Sequence, residues 1–144
     1  MTGTRDDVSE LATALRPSLL RLVRVLRQQR AELSITLTHL SAMATLEKNG
    51  PMSPGELASQ ERVQPPSMTK VLATLEEVGF VRREPHPTDR RQAIIVLTPT
   101  GLELLESERR VRDAWLNNQI ERLDPQEREA LRAALPVLDK LAEI

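Results

Sequence analysis

The sequence predicts a mainly α fold carrying one small β-hairpin, on three observations. Gly79-Phe80-Val81-Arg82-Arg83-Glu84 begins apolar and ends charged, and Gln92-Ala93-Ile94-Ile95-Val96-Leu97-Thr98 is a β-branched run. Between them, Pro85-His86-Pro87-Thr88-Asp89 and then Arg90-Arg91 form a Pro-bounded, charged turn, so the pair reads as a hairpin with a basic, solvent-facing tip. Two short helices with clear start signals stand immediately before the hairpin. Leu residues at helical spacing line both ends of the chain. Helix, turn, helix and basic hairpin in this order make a winged helix-turn-helix, here flanked by longer N- and C-terminal helices.

Each element has its own signal. From Val8 to about Gln29, Leu11, Leu15, Leu19, Leu22 and Leu26 form one helical stripe, which Pro17 is expected to kink or interrupt. Arg21, Arg24 and Arg27 lie off that stripe, as on a solvated face. A second helix runs from about Thr38 to Lys48 with Leu40, Met43, Ala44 and Leu46 toward the core, and Asn49-Gly50-Pro51 stops it. Ser53-Pro54-Gly55-Glu56 starts the third helix with an N-cap, a Pro at N1 and a capping-box Glu; Leu57 and Ala58 point inward. After Glu61-Arg62-Val63 the fourth helix is expected to take Pro65 as its cap and Pro66 as N1. Met68, Val71, Leu72 and Leu75 give it a buried stripe, and Gly79 ends it.

Beyond the hairpin, Thr98 or Thr100 caps a helix running through Leu102, Leu105, Val111 and Trp115 to about Leu123. Asp124-Pro125-Gln126-Glu127 starts the last helix, whose stripe is Leu131, Leu135, Leu138 and Leu141, with Pro136 a local irregularity. No repeat or linker divides the chain. It is expected to be one domain over 1–144, with the winged helix-turn-helix at about 37–98 and dimerisation helices at about 8–30 and 101–144.

Composition narrows the function. At 144 residues the chain suits one compact unit rather than a core plus a catalytic domain. The absence of Cys excludes disulfides and thiol chemistry. Its two histidines, His39 and His86, have no spacing suited to a metal or a nucleophile, so neither enzyme nor cofactor is expected. No run is long enough to span a bilayer and no secretory segment follows Met1, which makes the cytoplasm the expected compartment. The formal net charge is only −1, but phosphate contacts are local. Four Arg face Glu84 and Asp89 between positions 82 and 91, whereas residues 102–144 hold seven basic and ten acidic side chains. Such a chain would touch nucleic acid at one end.

A recognition helix needs short polar residues on its exposed face to read the major groove. Gln64 can pair bidentately with adenine, Ser67 and Thr69 can reach bases or phosphates, and Lys70 can reach guanine or phosphate. Pro65 offers apolar surface to a thymine methyl, and Thr74 lies on the same face. Arg90 and Arg91 can enter a narrow A·T-rich minor groove, while Arg82 and Arg83 suit phosphates. Asp89 would repel phosphate, so its expected work is internal: bonding backbone N–H groups of the tip or holding an Arg side chain extended.

Over nearly its full length the chain resembles the MarR family of winged-helix repressors. The resemblance rests on Leu37-Thr38, Leu57-Ala58, Met68-Thr69-Lys70-Val71-Leu72, Leu75-Glu76-Glu77-Val78-Gly79-Phe80-Val81, Arg83, Asp89-Arg90-Arg91 and Val96-Leu97-Thr98-Pro99-Thr100-Gly101. The Asp-x-Arg tip combined with Leu-Thr-x-x-Gly is its specific part. Two places depart: His39-Leu40 stands where the family commonly has Gln and an aromatic, and Gln64-Pro65-Pro66 where it has a Ser-like cap. The resemblance implies an obligate homodimer and a wing Arg in the minor groove, at Arg91 with Arg90 adjacent. It implies a sequence-specific transcriptional regulator, most often a repressor, on a pseudo-palindromic duplex operator. A small-molecule effector that releases the DNA is admissible; with Phe80 and Trp115 the only aromatics, its pocket would be aliphatic and its chemistry apolar. The competing reading is a winged-helix protein-interaction module that does not bind DNA.

Overall fold

A computed structural model describes residues 2–32 and 34–143. In chain order these form α1 (Thr2–Arg27), α2 (Leu37–Asn49), α3 (Pro54–Glu61), α4 (Pro65–Glu77), β1 (Val81–Pro85), β2 (Ala93–Leu97), α5 (Pro99–Glu121) and α6 (Pro125–Ala142). They fall into two compact units, one of residues 27–111 and the other of the residues up to 26 and from 112 onward.

The first unit is built on caps that the sequence spells out. Thr36 caps α2: its hydroxyl accepts from the His39 N–H at 3.3 Å, and His39 Nδ1 accepts the Thr36 N–H at 3.1 Å. A neutral imidazole thus fills the place a Glu or Gln takes in a capping box. Ser53 accepts the Glu56 N–H at 3.2 Å and opens α3. Arg62 then turns the chain in the left-handed region (φ 54°, ψ 42°), a conformation that costs a non-Gly residue about 1–2 kcal/mol. Its N–H returns to the carbonyls of Ala58 and Ser59.

Helix α4 starts one residue earlier than expected. Gln64 is the N-cap and Pro65 is already helical, because Met68 N–H bonds the Gln64 carbonyl at 3.0 Å. First-turn N–H groups have no acceptor inside a helix, so two successive prolines forfeit no hydrogen bond there. The helix ends on Gly79 (φ 81°), with Phe80 N–H bonded to Leu75 O at 2.9 Å and Gly79 N–H to Glu76 O at 3.1 Å, a Schellman closure.

Strands β1 and β2 pair antiparallel with Val81 opposite Leu97 and Arg83 opposite Ile95. The outer edge of β2 takes one further bridge, Met52 to Ile95 (2.7 and 3.3 Å), which the sequence did not announce. The core beneath is Met43, Leu46, Leu57, Met68, Leu72, Leu75 and Ile95, all essentially inaccessible to solvent. Each such side chain contributes about 1.5–3 kcal/mol by leaving water.

Two further devices close this unit. Thr98, not Thr100, caps α5: its hydroxyl accepts from Gly101 N–H at 3.1 Å and donates to the Gly79 carbonyl at 2.6 Å. Gly101 is buried, and a Cβ there would collide with the Phe80 carbonyl and meet Leu97 Cδ1 at 2.8 Å. Glu108 on α5 is fully buried, accepts the Glu32 N–H at 2.9 Å and faces Arg30 Nε at 3.4 Å. Arg30 in turn donates to the carbonyls of Glu32 (3.1 Å) and Ile35. This buried pair pins the connector before α2 onto α5.

In the second unit α1 continues through Pro17 as one helix, where a kink or an interruption was expected, and extends back to Thr2. Pro17 removes a single N–H from a helix of 26 residues, and the turns on both sides hold it. Asp124 and Glu127 form the expected reciprocal capping box of α6 (2.8 and 2.9 Å), and α6 runs unbroken past Pro136. Not one described side chain of α6 is buried.

Candidate nucleic-acid interface

The buried stripe of α4 decides what its other face can do. With Met68, Val71, Leu72 and Leu75 inward, Pro65, Ser67, Thr69 and Lys70 are exposed and Thr74 half-exposed. Thr69 Oγ1 donates to Pro65 O at 3.0 Å and Thr74 Oγ1 to Lys70 O at 3.3 Å. Both hydroxyl protons are therefore spent within the helix, and each oxygen presents lone pairs to an outside donor. Gln64 is exposed and extended at the N-cap (φ −62°, ψ 140°) and makes no capping bond with its side chain. Its amide can face outward as both donor and acceptor. Arg62 is a further exposed cation, set by the left-handed turn just before α4. Sequence reasoning passed over it, although a lone charged residue in a tight interhelical turn was the signal.

The hairpin tip is held by its own side chains. Asp89 Oδ1 accepts the Arg91 N–H at 3.0 Å, and Asp89 O accepts the Gln92 N–H at 3.1 Å. Of the two expected modes for Asp89, the structure has the backbone one. His86 Nδ1 accepts the N–H groups of Thr88 (3.2 Å) and Asp89 (3.0 Å), a role no motif in the sequence marked. Two acceptors thus fold the turn from within. Arg90 and Arg91 are exposed, and neither joins an ion pair among the described residues.

The other two arginines of the hairpin differ. Arg82 Nε sits 2.7 Å from Glu84 on the same strand face, and Arg83 Nε sits 2.8 Å from Glu76 in the last turn of α4. The structure therefore separates the four: two at the tip unpaired, two at the base neutralised within the chain. No group of His, Asp and Glu suited to a metal occurs among the described residues. Nor is any described helix long and apolar enough to cross a membrane.

Comparison with known proteins gives a family and a fold. The model of the MarR family matches residues 35–93, from just before α2 to the first residue of β2. A helix-turn-helix-type transcriptional regulator of Mycobacterium leprae, itself uncharacterised, is 41% identical over 138 residues, which is 96% of each chain. A crystal structure of a Pseudomonas aeruginosa protein described as a transcriptional regulator superposes with a TM-score of 0.82 at 29% identity, covering 94% of this chain and 95% of that one. A mutant of the Staphylococcus aureus regulator MepR, solved bound to an oligodeoxyribonucleotide, has the same fold: TM-score 0.71 at 19% identity, over 92% and 97% of the two chains.

Proposed function

The chain belongs to the MarR family of DNA-binding transcriptional regulators, and from that premise we propose that it is a homodimeric repressor of a pseudo-palindromic operator. In this reading α4 enters the major groove, with Gln64, Ser67, Thr69, Lys70 and Thr74 toward base edges or phosphates and Pro65 against a thymine methyl. Arg91, with Arg90 beside it, enters the flanking minor groove. Helices within about 8–30 and 101–144 hold the two chains together, and the protein acts in the cytoplasm.

The observation that carries the reading is the tip. Asp89 gives its carboxylate to the turn instead of to an arginine, so both guanidinium groups stay free for an outside anion. Binding of a duplex selected from a random pool, measured across salt concentrations, tests it. Arg91→Ala is expected to weaken binding strongly and to lower the salt slope by roughly one unit, the signature of one lost phosphate-type contact. The loss should be larger on A·T-rich flanks, where a narrow groove rewards Arg insertion. Unaltered affinity and slope in Arg91→Ala would remove the wing from the mechanism. A protein that binds no duplex at all would favour the interaction-module reading.

A further inference from the structure

Helix α4 ends on Glu76 and Glu77 with no basic residue in its last turn. Carboxylates at a helix C-terminus oppose the helix dipole, so these two are unfavourable to the helix by itself. Glu76 is answered from outside the helix by Arg83 on β1, at 2.8 Å. Strand alternation puts Arg83 on the same face as Val81, and its cross-strand partner is the fully buried Ile95. The stem of Arg83 therefore starts from the core side of the hairpin and reaches toward α4. Arg82 and Glu84 occupy the opposite face and pair with each other.

We propose that Arg83 is a positioning residue and not a phosphate contact: paired with Glu76, it braces the wing against the recognition helix and sets where Arg90 and Arg91 meet the duplex. The inference rests on the DNA-binding role of α4 and the wing, and it reverses the role that charge alone assigns to Arg83. Half of each side chain or more is shielded or engaged, with 46% of Arg83 and 31% of Glu76 exposed. A pair this exposed adds little stability. Its effect lies in register, because two elements that bind one duplex must keep one mutual geometry.

The test uses a duplex selected from a random pool by the unaltered protein and compares Glu76→Gln, Arg83→Gln and the charge swap Glu76→Arg with Arg83→Glu. If Arg83 is a brace, each single change weakens binding about two- to fivefold, the range of an exposed ion pair, with the salt slope unchanged, and the swap restores most of the loss. Weakening by Glu76→Gln is the sharper sign, since removing a negative charge near phosphate would otherwise tighten binding. If Arg83 touches phosphate, Arg83→Gln lowers the slope by about one unit, Glu76→Gln tightens binding and the swap stays weak; that pattern overturns the brace and leaves the DNA-binding reading intact. A readout without DNA separates the two further: the Arg83 Nε–H resonance should exchange slowly and lose that protection in Glu76→Ala. Unchanged exchange would also overturn the brace. Failure of the unaltered protein to bind any selected duplex would sink the DNA-binding reading and the brace together.

Discussion

Single acceptor atoms do much of the shaping in this chain, and substitutions that keep or remove one atom test them. Asp89 carries both a charge and an acceptor, and the two predict opposite effects on DNA binding. Asp89→Asn keeps an oxygen for the Arg91 N–H and removes the charge; it should bind duplex at least as tightly as the unaltered protein. Asp89→Ala loses the acceptor and should weaken binding by about fivefold, the equivalent of one hydrogen bond near 1 kcal/mol. Tighter binding by Asp89→Ala across several operators would reduce the tip to an ordinary charged turn. His39 offers a test by pH. Partial burial lowers its pKa below the ordinary histidine value near 6.5, and only the neutral ring can accept the Thr36 N–H. Because the folded state holds this proton less well than the unfolded chain, stability should be complete above about pH 6.5 and fall as pH drops below it. His39→Gln keeps an acceptor and does not titrate, so urea midpoints measured from pH 7.5 to 5 should decline less in the variant. Parallel curves would show that the capping imidazole is thermodynamically silent.

Elements were legible in the sequence wherever a local rule acts alone. The stripe of α4, the Ser53 and Asp124 caps, the Gly79 stop and the hairpin all follow from spacing and from residues with one strong backbone preference. The misses occur where rules compete. Pro65 was expected to be a cap because Pro66 disfavours the α region before it, but the free N–H groups of a first turn make both prolines tolerable. Pro17 was expected to kink or interrupt α1; the helix is not interrupted, being long enough to absorb one lost N–H. Met52 bridging Ile95, and Arg30 meeting Glu108, join residues far apart in sequence, and no periodicity carries such pairings. The candidate interface divided the same way: the exposed face of α4 follows from its stripe, while the pairing of Arg83 with Glu76 joins two elements. Leu-Thr-x-x-Gly shows what a motif encodes physically. Thr98 ties the base of the hairpin to α5, and Gly101 leaves room for the Phe80 carbonyl. Gly101→Ala should therefore lower stability by about 1–3 kcal/mol, the range for overpacking, seen as a lower urea midpoint at unchanged m-value. A midpoint equal to that of the unaltered protein would mean the contact relaxes freely.

For the whole molecule, the apolar surface left on the terminal helices is the fact to explain. Leu11, Leu19 and Leu22 of the α1 stripe are exposed, Leu11 by 64%, as are Leu131, Leu135 and Leu141 of α6, Leu141 by 66%. Single exposed leucines need no cause, but stripes along two amphipathic helices are surface that water disfavours. In the proposed reading the partner that covers them is a second copy of the chain, which would offer the same two stripes in return. Light scattering at micromolar concentration should give twice the 16.2 kDa chain mass. Leu22→Glu combined with Leu135→Glu would bury charge in that contact and should yield monomers that stay folded, since neither residue belongs to the core around α4. Those monomers keep one α4 and one wing each but lose the tethering of two half-sites, which is worth about 10²–10⁴-fold in affinity. Symmetry also fixes the DNA: half-site centres should lie roughly 10 bp apart, and inserting about half a helical turn between them should abolish tight binding while each half-site stays intact. A protein that is monomeric and still binds the unspaced operator at full affinity would show that these stripes serve another partner and that one chain reads the site alone.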